Sequence, residues 1–309
     1  MFCGIGGFHQ AASSLGMECV FASDVDEECR NAYEHNYGIR PVGDISRIKP
    51  ESIPEHDILL AGFPCQPFSI IGNRAGFSDV RGTLFFELVK IIEVKRPSTV
   101  VLENVKQLAS HNKGQTLERI LEVLKSLGYW TDYRILNALD FGLPQKRERI
   151  VIVALQGDIK HFPWPETKKS MAPLSEILEK NPDPRYFVSE RIKWSRHNTH
   201  TPKISPSIWH ENKAGNVSSH PYSCALRAGA SYNYLLVDGK RRLTPREMLR
   251  LQGFPDSFEI VCNDSQTRKQ AGNAVPVPMV AAVLNGVLNV NRAKTEGEAS
   301  EAQRSLSSR

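Results

Sequence analysis

Cys65 stands in the run Gly62-Phe63-Pro64-Cys65-Gln66-Pro67-Phe68-Ser69, directly after the apolar stretch 57–62. That stretch reads as a buried strand of a parallel sheet. A cysteine just past the C-terminal end of such a strand lies where open α/β sheets bind ligands. Pro64 and Pro67 stiffen the backbone around it. A nucleophilic cysteine must be partly thiolate, which a polar or cationic neighbourhood favours. The next residues carry Arg74 and Arg81 among Gly72, Gly76 and Gly82, a composition suited to a mobile basic lid. Glu103-Asn104-Val105 ends a further apolar strand, 99–103. If the two strands are neighbours, a carboxyl group and a thiolate share one site, an acid beside a nucleophile. Gln145-Lys146-Arg147-Glu148-Arg149 leads into the apolar strand 150–155, with its alternate arginines on one face. The blander reading of those arginines is a solvated strand end. A cysteine hydrolase would need a histidine paired with Cys65, and none stands in a recognisable pairing.

The chain opens Phe2-Cys3-Gly4-Ile5-Gly6-Gly7-Phe8. Glycines at a strand-to-helix turn let a ligand approach the backbone, although such clusters also serve ordinary tight turns. Asp24 lies 20 residues after Gly4, at the end of the next apolar run, 19–23. A carboxylate there can accept hydrogen bonds from both ribose hydroxyls of a nucleoside cofactor. Gly43-Asp44-Ile45 forms a third turn, placed to meet an adenine. The pattern is G-x-G-G, not the G-x-G-x-x-G that cradles a pyrophosphate.

The elements that must hold these residues follow an α/β order. Helical patterns cover 8–15, 83–95 and the 117–127 stretch, and apolar strands cover 19–23, 57–62, 99–103 and 150–155. The expected domains are a catalytic and cofactor-binding unit at 1–157, a smaller proline-punctuated, loop-rich unit at 158–240, and a segment at 241–291 that returns to the first. Thr244-Pro245-Arg246-Glu247 is a capping box opening a helix that stops at Gly253. A last helix is expected over 278–288, and the polar tail 292–309 is expected to be disordered.

Composition narrows the classes. Hydrophobic residues make up 40% and charged residues 24% of 309, as in globular domains. No apolar run approaches the ~20 residues of a membrane span, so no membrane partner and a cytoplasmic location are expected. The six cysteines include no C-x-x-C pair, which argues against a zinc ribbon. A net charge of +5 suits a polyanionic partner without requiring one.

Taken in order, FCGIGG, Asp24, GDI at 43–45, GFPCQPFS, ENV at 103–105, QKRER, TPREMLRLQGFP at 244–255 and QAGNAVPVP at 270–278 resemble the DNA (cytosine-5) methyltransferase family of small bacterial restriction-modification type. The resemblance implies a Rossmann-like mixed sheet with a target-recognition domain, S-adenosylmethionine (SAM) as methyl donor and no metal. It implies duplex DNA as substrate, a monomer acting on the nucleoid, and pairing with a restriction endonuclease. By this resemblance the cytosine is flipped out, Cys65 adds to C6, Glu103 holds and protonates N3, Arg149 helps hold the base, and Asn104 and Arg147 support the pocket. Phe2, Gly4, Gly6, Gly7, Asp24, Val25, Asp44, Ile45, Pro64, Leu84, Asn273 and Ala274 fall at cofactor positions. Gln66, Ser69, Arg74, Arg81 and Arg227 are candidate DNA contacts, as are Arg185, Arg191, Arg196, His210 and Asn212 in the variable segment.

Two departures stand out. The family has a strand before the glycine loop, whereas this sequence begins at Met1, so the sheet is expected to lack an interior strand and to fold or bind SAM poorly. Val25 stands where many relatives place a large aromatic. The rivals are a tRNA cytosine-5 methyltransferase and a truncated, inactive relative that only binds DNA.

Overall fold

The computed structural model describes residues 1–64, 84–166 and 169–307, with 294–307 described by backbone alone. The first half alternates helices and strands: α1 (Gly7–Ser13), α2 (Glu27–Tyr37), β1 (Ile58–Ala61), α3 (Leu84–Lys95), β2 (Thr99–Val105), α4 (Gln115–Ser126), β3 (Trp130–Asn137), β4 (Gln145–Lys146) and β5 (Glu148–Leu155). The sheet runs β1-β2-β5-β3, with β1 parallel to β2 and β5 antiparallel to both β2 and β3. It is therefore mixed, as expected.

β2 and β5 are buried along nearly their whole length. This explains why both read as unbroken apolar runs rather than alternating ones. Ile58 and Leu60 pack into one core with α1, while Leu59 and Ala61 join a second core with α3 and α4. β3 escapes the sequence reading because it is the outer strand. Its centre, Tyr133-Arg134-Ile135, is exposed, and Asp132 and Arg134 break the apolar signal while discouraging edge pairing. Residues 19–23, expected as a strand, form no ladder: only Ser23 and Val42 are bridged.

The second half begins with α5 (Leu174–Ile177) and α6 (Glu190–Thr199), followed by β6 (Ile208–Glu211), β7 (Val217–His220), β8 (Ser223–Cys224) and β9 (Leu235–Val237). A small antiparallel sheet, β7-β6-β9, is built on Trp209, which is 1% exposed and flanked by the His197 and His200 rings. β8 pairs in parallel with β4, fastening this region to the first half.

Three helices close the chain: α7 (Pro245–Leu251), α8 (Asp264–Asn273) and α9 (Val277–Ser307). The capping box at Thr244 forms in full. Its Glu247 is fully buried and also takes two hydrogen bonds of 2.8 Å from Arg241. Met279, Val280, Val283, Leu284 and Val287 recur at helical spacing and are buried in the core that contains α1. The helix runs past 288 to Ser307 through the segment expected to be disordered; that segment carries Ala, Glu and Arg, which favour helix. Residues 264–293 are long and apolar enough to suit a membrane span by composition, but 67% of that window is buried inside the protein.

Candidate active site

Glu103 owes its place to the ladder. Ala61 pairs with Leu102, so Gly62 comes level with Glu103 at the end of β1. A Cβ added to Gly62 would lie 3.4 Å from Glu103 Oε2. The carboxylate thus sits against the turn leading to Cys65. Asn104 secures the same turn: its Nδ2 donates to the Phe63 carbonyl at 2.9 Å, and its Oδ1 accepts from the Val105 amide at 2.8 Å. Across the ladder Val105 pairs with Arg149, which brings Arg149 Nε to 2.8 Å from Glu103 Oε1.

This pair is buried, with side chains 14% and 11% exposed. Burial raises the Glu103 pKa above its ordinary value, while Arg149 and then Arg147 oppose the rise. Burial likewise lowers that of Arg149. A carboxyl group tuned upward while bonded to a guanidinium is suited to holding or passing a proton.

Arg147 is not a solvated strand end. It is 1% exposed and donates to the carbonyls of Leu226, Gly272 and Ala274 at 2.8–3.0 Å. Gln145, fully buried, accepts from the Leu226 amide at 2.9 Å and donates to the Leu251 carbonyl at 2.8 Å. Together they clamp both sides of Leu226. Sequence reasoning overlooked Gln145, although a glutamine opening a run of charged residues before a buried strand is a usable signal. Arg227, the next residue, is exposed and stacks on Tyr234 with 4.7 Å to the ring centroid.

At the donor end, Asp24 accepts from the Gly4 amide at 2.7 Å through Oδ2 and from the Asp26 amide at 2.9 Å through Oδ1. These bonds aim the carboxylate and leave lone pairs on both oxygens. Gly4 adopts φ +52°, and a Cβ there would meet nothing within 4 Å. This open cradle, with the aimed carboxylate, fits a nucleoside ligand. The other two glycines serve packing: a Cβ on Gly6 would strike the Tyr37 ring at 2.3 Å, and one on Gly7 would strike Val275 at 2.8 Å. Asp44 is spent on capping, taking the amide and hydroxyl of Ser46 at 2.9 and 2.8 Å, bonds that lower its pKa. Val25 is 69% exposed and Ile45 only 3%. Phe2 and Leu84 are half-buried, Pro64 and Asn273 exposed, and Ala274 buried.

Cys65, Gln66, Ser69, Arg74 and Arg81 lie outside the described residues. Of the other candidates, Arg196 is buried and holds Glu211 at 2.6 Å and the Asn233 carbonyl at 3.0 Å. Asn212 closes its own turn by accepting from Ala214 and Asn216. Both are framework rather than free reading groups, a role their isolated polar types could not disclose.

The geometry matches known proteins. The family model for C-5 cytosine-specific DNA methylase covers residues 1–289. A Type II methyltransferase of Neisseria gonorrhoeae, M.NgoBI, is 54% identical over 285 residues, covering 91% of this chain and 90% of its own. The Type II methyltransferase M.HaeII of Haemophilus aegyptius is 51% identical, covering 94% and 92%. Among solved structures, a DNMT2 mutant from Spodoptera frugiperda superposes with a TM-score of 0.73 at 20% identity, covering 93% of this chain and 98% of that one. At that identity the likeness shows the fold alone. The sequence matches go further: this chain belongs to the C-5 cytosine-specific DNA methylases, and its activity is DNA cytosine-5 methylation with SAM as donor.

Proposed function

We propose that the protein methylates cytosine within one specific duplex sequence through a covalent Cys65 adduct, protecting host DNA beside a restriction endonuclease. The observation carrying this reading is the buried Glu103–Arg149 pair set against the turn that leads to Cys65.

A base inside a duplex cannot reach such a recess, so the cytosine is flipped out. The Cys65 thiolate forms a bond to C6. Glu103, its pKa raised by burial, holds a proton at N3 so that negative charge does not accumulate on the ring. Arg149 fixes the orientation of Glu103 and lines the base pocket, and Asn104 keeps the Cys65 turn in register with β2. SAM, when bound, supplies the methyl group to C5. Asp24 holds its ribose, and Phe2, Gly4, Gly6, Gly7, Val25, Asp44, Ile45, Pro64, Leu84, Asn273 and Ala274 surround the rest. Loss of the C5 proton and release of Cys65 complete the turnover. Residues 158–240 read the target; Arg227 is the described candidate for a DNA contact, and Gln66, Ser69, Arg74 and Arg81 are the other candidates.

Bisulfite sequencing of DNA from cells expressing the protein tests this directly. One short motif methylated at a single cytosine is the expected result. Unmodified DNA, together with methyl transfer to tRNA, would overturn it.

A further inference from the structure

Arg227 opens a largely exposed loop, 227–232, whose start is fixed by the run that also carries Arg149. The Leu226 carbonyl accepts from Arg147 at 2.9 Å, and the Leu226 amide donates to Gln145 at 2.9 Å. One residue on, the Arg227 amide donates to the Tyr234 hydroxyl at 3.0 Å, while its guanidinium lies 4.7 Å over the same ring. Tyr234 therefore holds Arg227 both at its backbone and at the end of its side chain. Among the described residues the guanidinium has no hydrogen-bond partner, so its fork of N–H donors stays free. Stacking on the ring fixes the plane of that fork before any partner arrives.

The rest of the loop is seated on α8. A Cβ added to Gly272 would stand 2.4 Å from the Ala228 amide nitrogen, so loop and helix meet backbone to backbone. One turn earlier on the helix, Arg268 donates to the Ala230 carbonyl and lies 4.1 Å over the Tyr232 ring. From the far end of the loop Arg242 donates to Asn233 at 2.9 Å and lies 5.8 Å from the Tyr232 centroid. Tyr232 is 52% exposed, so these cations hold it rather than a core. The tip is open: a Cβ on Gly229 would meet nothing within 4 Å. α8 is itself anchored on its other side, with Lys269 at 2.6 Å from Asp26 and Gln270 donating to the Glu28 carbonyl at 3.2 Å.

We propose that Arg227 reads a guanine in the base pairs flanking the target cytosine, and that Arg268 on α8 is the positioning residue that presents it. This rests on the reading that residues 158–240 recognise the target. Guanine is the base that offers two adjacent acceptors, O6 and N7, in the major groove, and a planar guanidinium fork matches them. A phosphate contact needs only a positive charge and tolerates a swinging side chain. An arginine laid on a ring, in a loop tied at both ends, has instead one fixed direction. Gly229 at the tip lets the loop backbone come close to a groove wall beside it.

The test measures methylation rates of the full chain on a library of duplexes in which each position flanking the methylated cytosine is varied in turn. Arg227→Ala should lose discrimination roughly tenfold to a hundredfold at one position, guanine in the parent's preference, and keep the preferences elsewhere. Arg268→Ala should relax the same position by a smaller factor. The two substitutions together should relax it no further than Arg227→Ala alone, since Arg268 acts through Arg227. A merely structural role for Arg268 would blur every position instead. Tyr232→Ala, at an exposed ring, should repeat the Arg268→Ala pattern and replaces that variant if it folds poorly. The proposal fails if Arg227→Ala slows all sequences equally and reduces the salt slope by about one, the mark of a phosphate contact. It fails too if Arg268→Ala relaxes a different position. Unchanged preferences in both variants would overturn it while leaving target reading to another part of 158–240; a parent with no sequence preference would overturn both.

Discussion

The reacting end and the donor end of this enzyme are held in different ways. Glu103, Asn104 and Arg149 stand on β2 and β5, strands inside a continuous ladder: Glu103 and Asn104 are held by pairing with Val151 and Ile150, and Arg149 by pairing with Val105 on one side and Leu136 on the other. Asp24, Gly4 and Asp44 stand on loops joined by a few local hydrogen bonds: Gly4 to Asp24, the bridge at Ser23 and Val42, and Ser46 to Asp44. The first arrangement is rigid before any ligand arrives. The second rests on loop conformation alone. Chemistry and donor binding should therefore fail separately when mutated.

The largest effect falls on the proposed nucleophile. Cys65→Ser should abolish turnover while leaving SAM affinity unchanged, measured by single-turnover methyl transfer and by calorimetry. Methylation persisting in this variant would remove the covalent mechanism. Next comes Glu103→Gln, which should lower kcat by roughly 10²–10⁴ with little change in KM for SAM. A loss confined to KM would place Glu103 in binding and erase the contrast between the two ends.

The raised pKa of Glu103 gives that prediction a pH signature. Its protonated form is favoured by burial, so the folded protein binds this proton more tightly than the unfolded chain does. The resulting stability is fully present below the ordinary value of 4.5 and is lost as pH rises through the raised folded value. In denaturant titrations at stepped pH, Glu103→Gln should flatten this decline. The same group should give kcat a limb falling with pH, absent from the variant.

How much was legible follows the same division. β1, β2 and β5 read clearly because burial on both faces removes polar residues from them, and the capping box at Thr244 announced α7. The Glu103 and Arg149 pairing needed only the assumption that the strands were neighbours. β3 was hidden by its exposed edge position, and α2 by its polar composition. Arg147 stood out in the sequence, but its partners did not, because nothing local shows that its three acceptors come from Leu226, Gly272 and Ala274, up to 127 residues away. Gly6 and Gly7 carry a second requirement that their local sequence does not show, since each is packed against a neighbour, Tyr37 and Val275, supplied by another element.

A smaller effect belongs to the donor end. Asp24→Asn replaces one acceptor by a donor where two backbone amides converge beside the proposed ribose site, so SAM affinity should fall about tenfold to a hundredfold. With saturating SAM, kcat should return close to the parent value, the reverse of Glu103→Gln.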